Sequence, residues 1–298
     1  QDNLVFKTAQ ATVRPRGGAP LRTSAVRHLV ADDFQQRIYQ DAATGRSLRY
    51  NLFVPAGQGD QPLPLVLFMH DAGATSEFHT ATLLQGNGAT VWASPQEQAK
   101  RPCFVLAPQY DEIIVDDQSR ASDMLGITVR LLQSLQQQYR IDARRLYATG
   151  QSGGCMMAMA MNIQHPDLFA ASYFVAGKWS ADLVAPLARK KLWFMASVDD
   201  KGAFPSMNAI TEKLAQQGAQ VSRAWWDAQW SESEYRYAAA DLLARGAPIQ
   251  YTAYAKGTVF TEGESQAGAS GHRNTWKYAY GIEPVREWLF QQVKDSTH

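Results

Sequence analysis

The segment Gly150-Gln151-Ser152-Gly153-Gly154 constrains this chain more than any other. It follows an apolar run, Arg145 to Thr149, and precedes a Met- and Ala-rich stretch, Cys155 to Ile163, that reads as a helix. A strand, a serine flanked by small residues and then a helix is the context of a nucleophile elbow. The turn is tight enough to strain the serine backbone, so bulk is excluded on both sides. It lifts the hydroxyl above a sheet edge and aims the following N–H groups at whatever the oxygen attacks. A surface serine in a plain glycine-rich loop is the competing interpretation, and the strand–turn–helix context argues against it.

A serine hydroxyl is a poor nucleophile until a base takes its proton. Six histidines are available: His28, His70, His79, His165, His272 and His298. His165 precedes Pro166 at the end of the expected elbow helix, and His28 and His79 fall in segments without clear elements. His272 lies in a loop between the last apolar strand, Ile249 to Tyr254, and the last amphipathic helix. It follows the serine in chain order, as the base of an elbow-type triad does. The acid should lie between them at another strand end, and Asp199-Asp200 follows the apolar run Lys191 to Ala196. Either aspartate could hold the imidazole, and a solvated two-aspartate turn is the plainer alternative.

Acyl transfer also needs donors for the developing oxyanion. The N–H of Gly153, just after the serine, is one candidate. A second is expected from the loop after an earlier core strand, where Pro64 to Met69 runs into His70-Asp71-Ala72-Gly73.

Taken in order, Leu65 to Gly73, Phe104 to Gln109, the Gly150–Gly154 elbow, the Asp199-Asp200 strand end and His272 with Trp276 and Glu287 to Phe290 resemble an α/β-hydrolase of the polyhydroxybutyrate-depolymerase and feruloyl-esterase type. The resemblance implies a mostly parallel sheet with helices on both faces, and ester hydrolysis without a cofactor. It implies Ser152, His272 and Asp200 as the triad, with Asp199 as second choice. Asp200 is preferred because its spacing to Pro205 comes closer to the Asp-x-x-x-Pro rhythm of such enzymes. Gly153 and Ala72 would supply the oxyanion hole. Family members usually carry His-Gly where this chain has His70-Asp71. That departure leaves the Ala72 amide in place, and His70 reads as a hydrogen-bonding residue of the turn. Trp179, Gln109 and Tyr110 fall near strand ends on the catalytic edge and are expected to line the substrate site. Trp226 is expected in an apolar wall.

The rest of the sequence fits one α/β-hydrolase domain over residues 1–298. Residues 1–30 lack periodicity and read as an extension. Phe34 to Tyr39 and Leu48 to Val54 read as an antiparallel hairpin around Gly45, with Leu48, Tyr50, Leu52 and Val54 on one face. Leu125, Val129, Leu132, Leu135 and Tyr139 mark a helix before the elbow strand. The stretch 203–246, with Trp225, Trp226 and Trp230, is long enough for a small cap over the site or for plain packing on the core.

With 29 basic and 28 acidic side chains, the net charge of +1 offers no electrostatic case for nucleic acid or an anionic membrane. No apolar run reaches transmembrane length. No metal, nucleotide or flavin motif occurs, so no cofactor or metal is expected. Cys103 and Cys155 are expected as buried free thiols, with a disulfide the alternative. A first residue Gln1 without a signal-like segment suggests a processed secreted or periplasmic chain. The functional expectation is a serine carboxylesterase acting on short acyl, aryl or oligomeric esters. The alternatives are a serine peptidase on the same fold and a catalytically silent binding relative. The sequence leaves acyl specificity and oligomeric state open.

Overall fold

The computed structural model describes Thr12–Val13, Leu21–Arg22 and residues 28–294 apart from 58 and 60. Most of the expected extension over residues 1–30 lies outside the described residues. Within it, β1 (Thr12–Val13) pairs antiparallel with β2 (Leu21–Arg22).

The remaining strands form one sheet. They are β3 (Gln35–Gln40), β4 (Ser47–Phe53), β5 (Leu63–Met69), β6 (Phe104–Gln109), β7 (Ile141–Gln151), β8 (Ala171–Val175), β9 (Leu192–Ser197), β10 (Val221–Trp226) and β11 (Ile249–Tyr254). Their order is β10-β11-β9-β8-β7-β5-β6-β4-β3. The hairpin β3–β4 is antiparallel, β4 meets β6 antiparallel, and every other pairing is parallel. The strand character follows from the sequence. All of β6, β8, β9 and β11 is buried, as expected of near-continuous apolar strands covered on both faces. The edge strand β3 alternates exposed and half-buried residues instead.

Among the described residues the α-helices, in chain order, are α1 (Ala81–Leu84), α2 (Pro95–Lys100), α3 (Met124–Gln138), α4 (Gly153–Gln164), α5 (Ala203–Gln216), α6 (Glu232–Leu243), α7 (Ser270–Ala279) and α8 (Glu283–Gln291). Residues alternating along β5 feed two cores. Leu65, Leu67 and Met69 pack with Ile127, Leu131, Met157, Met161, Ile210 and Leu214 of α3, α4 and α5. Val66 and Phe68 pack with Leu83, Leu242, Trp276, Trp288 and Leu289 on the opposite face. That two-residue alternation is the period of a pleated strand. Cys103 and Cys155 are both buried free thiols.

The segment 203–246 is not a cap. It consists of α5, the edge strand β10 and α6, with β10 in register against β11 from Val221↔Ile249 to Trp226↔Tyr254. Of its aromatic residues, Trp226, Trp230 and Tyr235 pack in or against the second core, whereas Trp225 is half exposed. The Trp226 ring lies 5.8 Å from Trp193 and 5.8 Å from Tyr235, and Trp193 lies 5.3 Å from Trp288. These edge-on contacts sit well within the favourable range for aromatic pairs.

Trp226→Ala should therefore act as a core truncation, lowering stability by about 3–5 kcal/mol in urea unfolding. The Michaelis constant for a small ester should stay unchanged. A raised Michaelis constant at native stability would restore Trp226 to the substrate site.

Candidate active site

Four neighbouring parallel strands deliver the chemistry at their C-terminal ends: β5 runs into His70, β7 into Ser152, β8 into Ala176 and β9 into Asp199-Asp200. Ser152 has φ 53° and ψ −118°, a backbone conformation that non-glycine residues rarely adopt. The surroundings hold it there. Its N–H donates to the Val175 carbonyl at 3.0 Å, and its own carbonyl accepts from Met156 N at 3.0 Å. Glycine on either side is a packing requirement. A Cβ at Gly154 would overlap the Met69 carbonyl, and one at Gly150 would overlap the backbone of Gly154.

His272 lies in the first turn of α7 and bridges the serine and the acid. Its Nε2 is 2.8 Å from Ser152 Oγ, and its Nδ1 is 2.5 Å from Asp200 Oδ2. The second oxygen of Asp200 accepts from Gly202 N at 3.0 Å and Ala203 N at 2.9 Å, at the start of α5. The carboxylate is thus fixed at a helix N-terminus, where orphan N–H groups and the helix dipole favour negative charge. Asp199 points elsewhere and accepts from Gly257 N at 2.7 Å. Its backbone packs beneath the histidine: a Cβ at Gly271 would stand 2.5 Å from the Asp199 carbonyl oxygen. The Trp276 ring stands edge-on to the imidazole with centroids 4.9 Å apart.

The oxyanion candidates face one another. A Cβ built on Gly153 would lie 3.4 Å from Ala72 N. Among the described residues, neither N–H meets a backbone or side-chain acceptor. The loop carrying Ala72 is a short 3-10 turn, Ala72–Ala74. His70 beneath it is buried; its Nδ1 lies 2.7 Å from the Asp71 carbonyl, and its Nε2 takes the Tyr110 N–H at 3.0 Å. That pattern puts the ring proton on Nδ1. Burial holds the imidazole neutral and lowers its pKa from 6.5 to about 4.

A cavity of about 540 Å³ opens over Ser152 and His272, with Ile113, Val115, Met156 and Ala203 as its apolar lining and Lys178, Lys201 and Asp117 among its charged groups. Asp117 and Lys178 form a salt bridge of 2.8 Å across its rim. Of the residues expected to bind substrate, Trp179, Gln109, Tyr110 and Trp226 are all buried away from this lining. Trp179 packs into the first core and Trp226 into the second. Gln109 is a brace: it accepts from Thr82 N at 2.7 Å and donates to the Ala74 carbonyl at 2.8 Å. Tyr110 turns inward, its hydroxyl 3.0 Å from Thr128 Oγ1. The reason is local geometry: these residues lie on the catalytic edge, but their side chains turn into the protein. The residues that do line the cavity carried only faint signals. Met156 lies one helical turn after Ser152, and Lys178 and Lys201 come just past strand ends. Ile113 and Val115 sit in an irregular loop that sequence patterning leaves unreadable.

Several known proteins are similar to this chain in sequence or fold. The prolyl oligopeptidase family model matches residues 128–218, a span containing Ser152 and Asp200. The chain is 27% identical over 195 residues to the protein named "Putative esterase NocK" of Nocardia uniformis subsp. tsuyamanensis, covering 57% of this chain and 52% of that one. It therefore spans about half the length of that relative. A thermostable esterase structure superposes with a TM-score of 0.75 at 26% identity, over 92% of this chain and 68% of the other. The feruloyl esterase module of Clostridium thermocellum superposes with a TM-score of 0.61 at 12% identity, over 89% and 90%. The fold is that of the α/β-hydrolases.

The buried neutral His70 has a consequence for stability. Below pH 6.5 the unfolded chain takes up a proton that the folded chain refuses until about pH 4. The depressed folded-state pKa means that stability is lost as pH falls through this window, by about 3 kcal/mol in all. Urea unfolding at pH 7, 5.5 and 4 should show a shallower loss in His70→Gln than in the native chain. Equal slopes would show that His70 does not set this dependence.

Proposed function

We propose that this chain is a serine carboxylesterase acting on short acyl, aryl or oligomeric esters. The observation that carries the reading is the continuous hydrogen-bonded line from Ser152 Oγ through His272 to Asp200, at 2.8 and 2.5 Å, opening into a largely apolar cavity. The reach of both bonds suits proton transfer from a serine nucleophile to a histidine held by a carboxylate.

In the proposed mechanism Ser152 Oγ attacks the ester carbonyl carbon as His272 Nε2 takes the hydroxyl proton. Asp200 keeps Nδ1 protonated and stabilises the imidazolium. The N–H groups of Gly153 and Ala72 receive the carbonyl oxygen as it becomes an oxyanion, at roughly 3 kcal/mol per donor. Collapse expels the alcohol, which takes the proton from His272, and leaves an acyl-Ser152. Water, deprotonated by the same histidine, then attacks the acyl carbon and releases the acid.

A second reading, a peptidase with the same triad, draws on the match of residues 128–218 to the prolyl oligopeptidase family model. The two separate on substrate. Hydrolysis of p-nitrophenyl esters from acetate to palmitate should peak at short chains, and aminoacyl p-nitroanilides should be turned over far more slowly. The reverse order would make the peptidase reading the better one.

Ser152→Ala should abolish turnover, and Asp200→Asn should lower kcat by about 10⁴ through loss of the correct tautomer. Asp199→Asn should stay within a few-fold of the native rate, since its carboxylate serves Gly257. Comparable losses in the two Asn variants would sink the assignment of the acid.

A further inference from the structure

Asp71 is a buried carboxylate beside the oxyanion candidates that the mechanism above leaves unused. It is 3% exposed. Its Oδ1 accepts the N–H of Gly73 at 2.5 Å and that of Ala74 at 3.1 Å, and it also receives the side-chain amide of Gln85. The Asp71 N–H donates to Gln85 Oε1 at 3.2 Å, so Gln85 grips both the backbone and the side chain of this residue. The same Gln85 oxygen takes Gln151 Nε2 at 3.3 Å, and Gln151 immediately precedes Ser152. The Asp71 carbonyl lies 2.7 Å from His70 Nδ1, whose ring is anchored in turn by Tyr110 N.

We propose that Asp71 is a positioning residue for the oxyanion hole, locking the Ala72–Ala74 turn so that Ala72 N–H faces the substrate carbonyl, in register with the elbow through Gln85 and Gln151. The proposal rests on the serine-esterase reading. The physical case is one of alternatives. The turn presents three successive N–H groups, those of Ala72, Gly73 and Ala74, and among the described residues only that of Ala74 has a backbone acceptor, the Asp71 carbonyl at 3.2 Å. Asp71 Oδ1 takes the second and third, and the first remains for the substrate. An unclamped turn can rotate, satisfying Ala72 N–H with solvent or with the Asp71 side-chain site, and an oxyanion donor acts only when fixed before the charge develops. The Gln85 bridge matters because the hole has two halves on different elements. Gly153 N–H moves with the β7–α4 elbow and Ala72 N–H with the loop after β5. A buried amide bonded to both sides holds their separation. Asp71 itself touches no reacting atom.

The test uses the full chain with p-nitrophenyl butyrate as substrate and a trifluoromethyl ketone as inhibitor, because the ketone adduct of Ser152 places an oxyanion in the hole. Asp71→Ala should lower kcat by about 10–100-fold with KM within threefold, and weaken the ketone by a similar factor. Asp71→Asn keeps an acceptor oxygen for Gly73 and Ala74 and should recover kcat to within about fivefold of native. A merely structural role would lower the melting temperature and leave both ratios unchanged. Native-like kcat in Asp71→Ala, or lost kcat with undiminished ketone affinity, overturns the proposal. So does an Asp71→Asn variant as slow as a folded Asp71→Ala. If Asp71→Ala does not fold, Asp71→Ser takes its place: its shorter acceptor should cost three- to tenfold in kcat, and a native rate overturns the proposal. Failure of the esterase reading looks different, as a native chain without Ser152-dependent ester hydrolysis.

Discussion

The contact between Gly154 and the end of β5 is the constraint on which the catalytic edge depends. The first turn of α4 lies so close to the Met69 carbonyl that no side chain fits between them. This sets the depth at which α4 enters the sheet and hence the height of Ser152. It also places the loop after β5 beside Gly153, with a Cβ built on Gly153 3.4 Å from Ala72 N. A single steric restriction thus couples Ser152 to both oxyanion candidates. The strained backbone at Ser152 is sustained by the same packing, because both flanking strands, β5 and β8, hydrogen-bond β7 along its length.

The acid side of the site is built differently. Asp200 gives one oxygen to His272 and the other to the first N–H groups of α5. A helix start replaces a positive side chain as the counterweight to a buried carboxylate, and among the described residues the imidazole is the ion-pair partner of Asp200 when protonated. This arrangement suits the proposed mechanism, in which the histidine gains and loses a proton in each cycle. A fixed cation near Asp200 would weaken the carboxylate's hold on the imidazolium. The start of α7 is equally close-packed, with Gly271 against the Asp199 carbonyl, so neighbouring aspartates have distinct duties: one touches the histidine and the other braces the loop at Gly257.

The sequence made the sheet readable wherever burial on both faces forces continuous apolar runs. The hairpin Phe34 to Val54 and the strands ending near Gln109, Ser197 and Tyr254 could be placed to within a residue or two, whereas β7 begins at Ile141, four residues ahead of the apolar run Arg145 to Thr149. The elbow was legible because its glycines answer a steric demand that few other motifs make. β10 was not, since an edge strand rich in tryptophan, with burial that alternates irregularly, resembles an aromatic cap in one dimension. The cavity wall was harder still. Which side chains face a substrate depends on where each strand end turns, and Gln109 and Tyr110 turn inward to brace the Ala74 carbonyl and Thr128. Sequence order reveals that a residue lies at the catalytic edge but not the direction in which it points.

Asp71 and Asp200 show how one device serves two ends. Each is 3% exposed, and each has an oxygen that accepts two successive backbone N–H groups of a turn or helix start. They differ in the other oxygen. Asp200 Oδ2 reaches the imidazole, whereas Asp71 Oδ2 is buried without a hydrogen-bond partner among the described residues. Burial raises the pKa of the Asp71 carboxyl, while Gln85 and the two backbone donors oppose that shift. Leaving a buried carboxylate oxygen unpaired costs stability. An apolar or absent side chain at this position would avoid that cost, but it would leave Gly73 N–H without its acceptor and Ala74 N–H with the Asp71 carbonyl alone, at 3.2 Å. The arrangement favours fixed geometry at the loop over stability of the fold, a balance expected where two backbone amides must be aligned before charge appears.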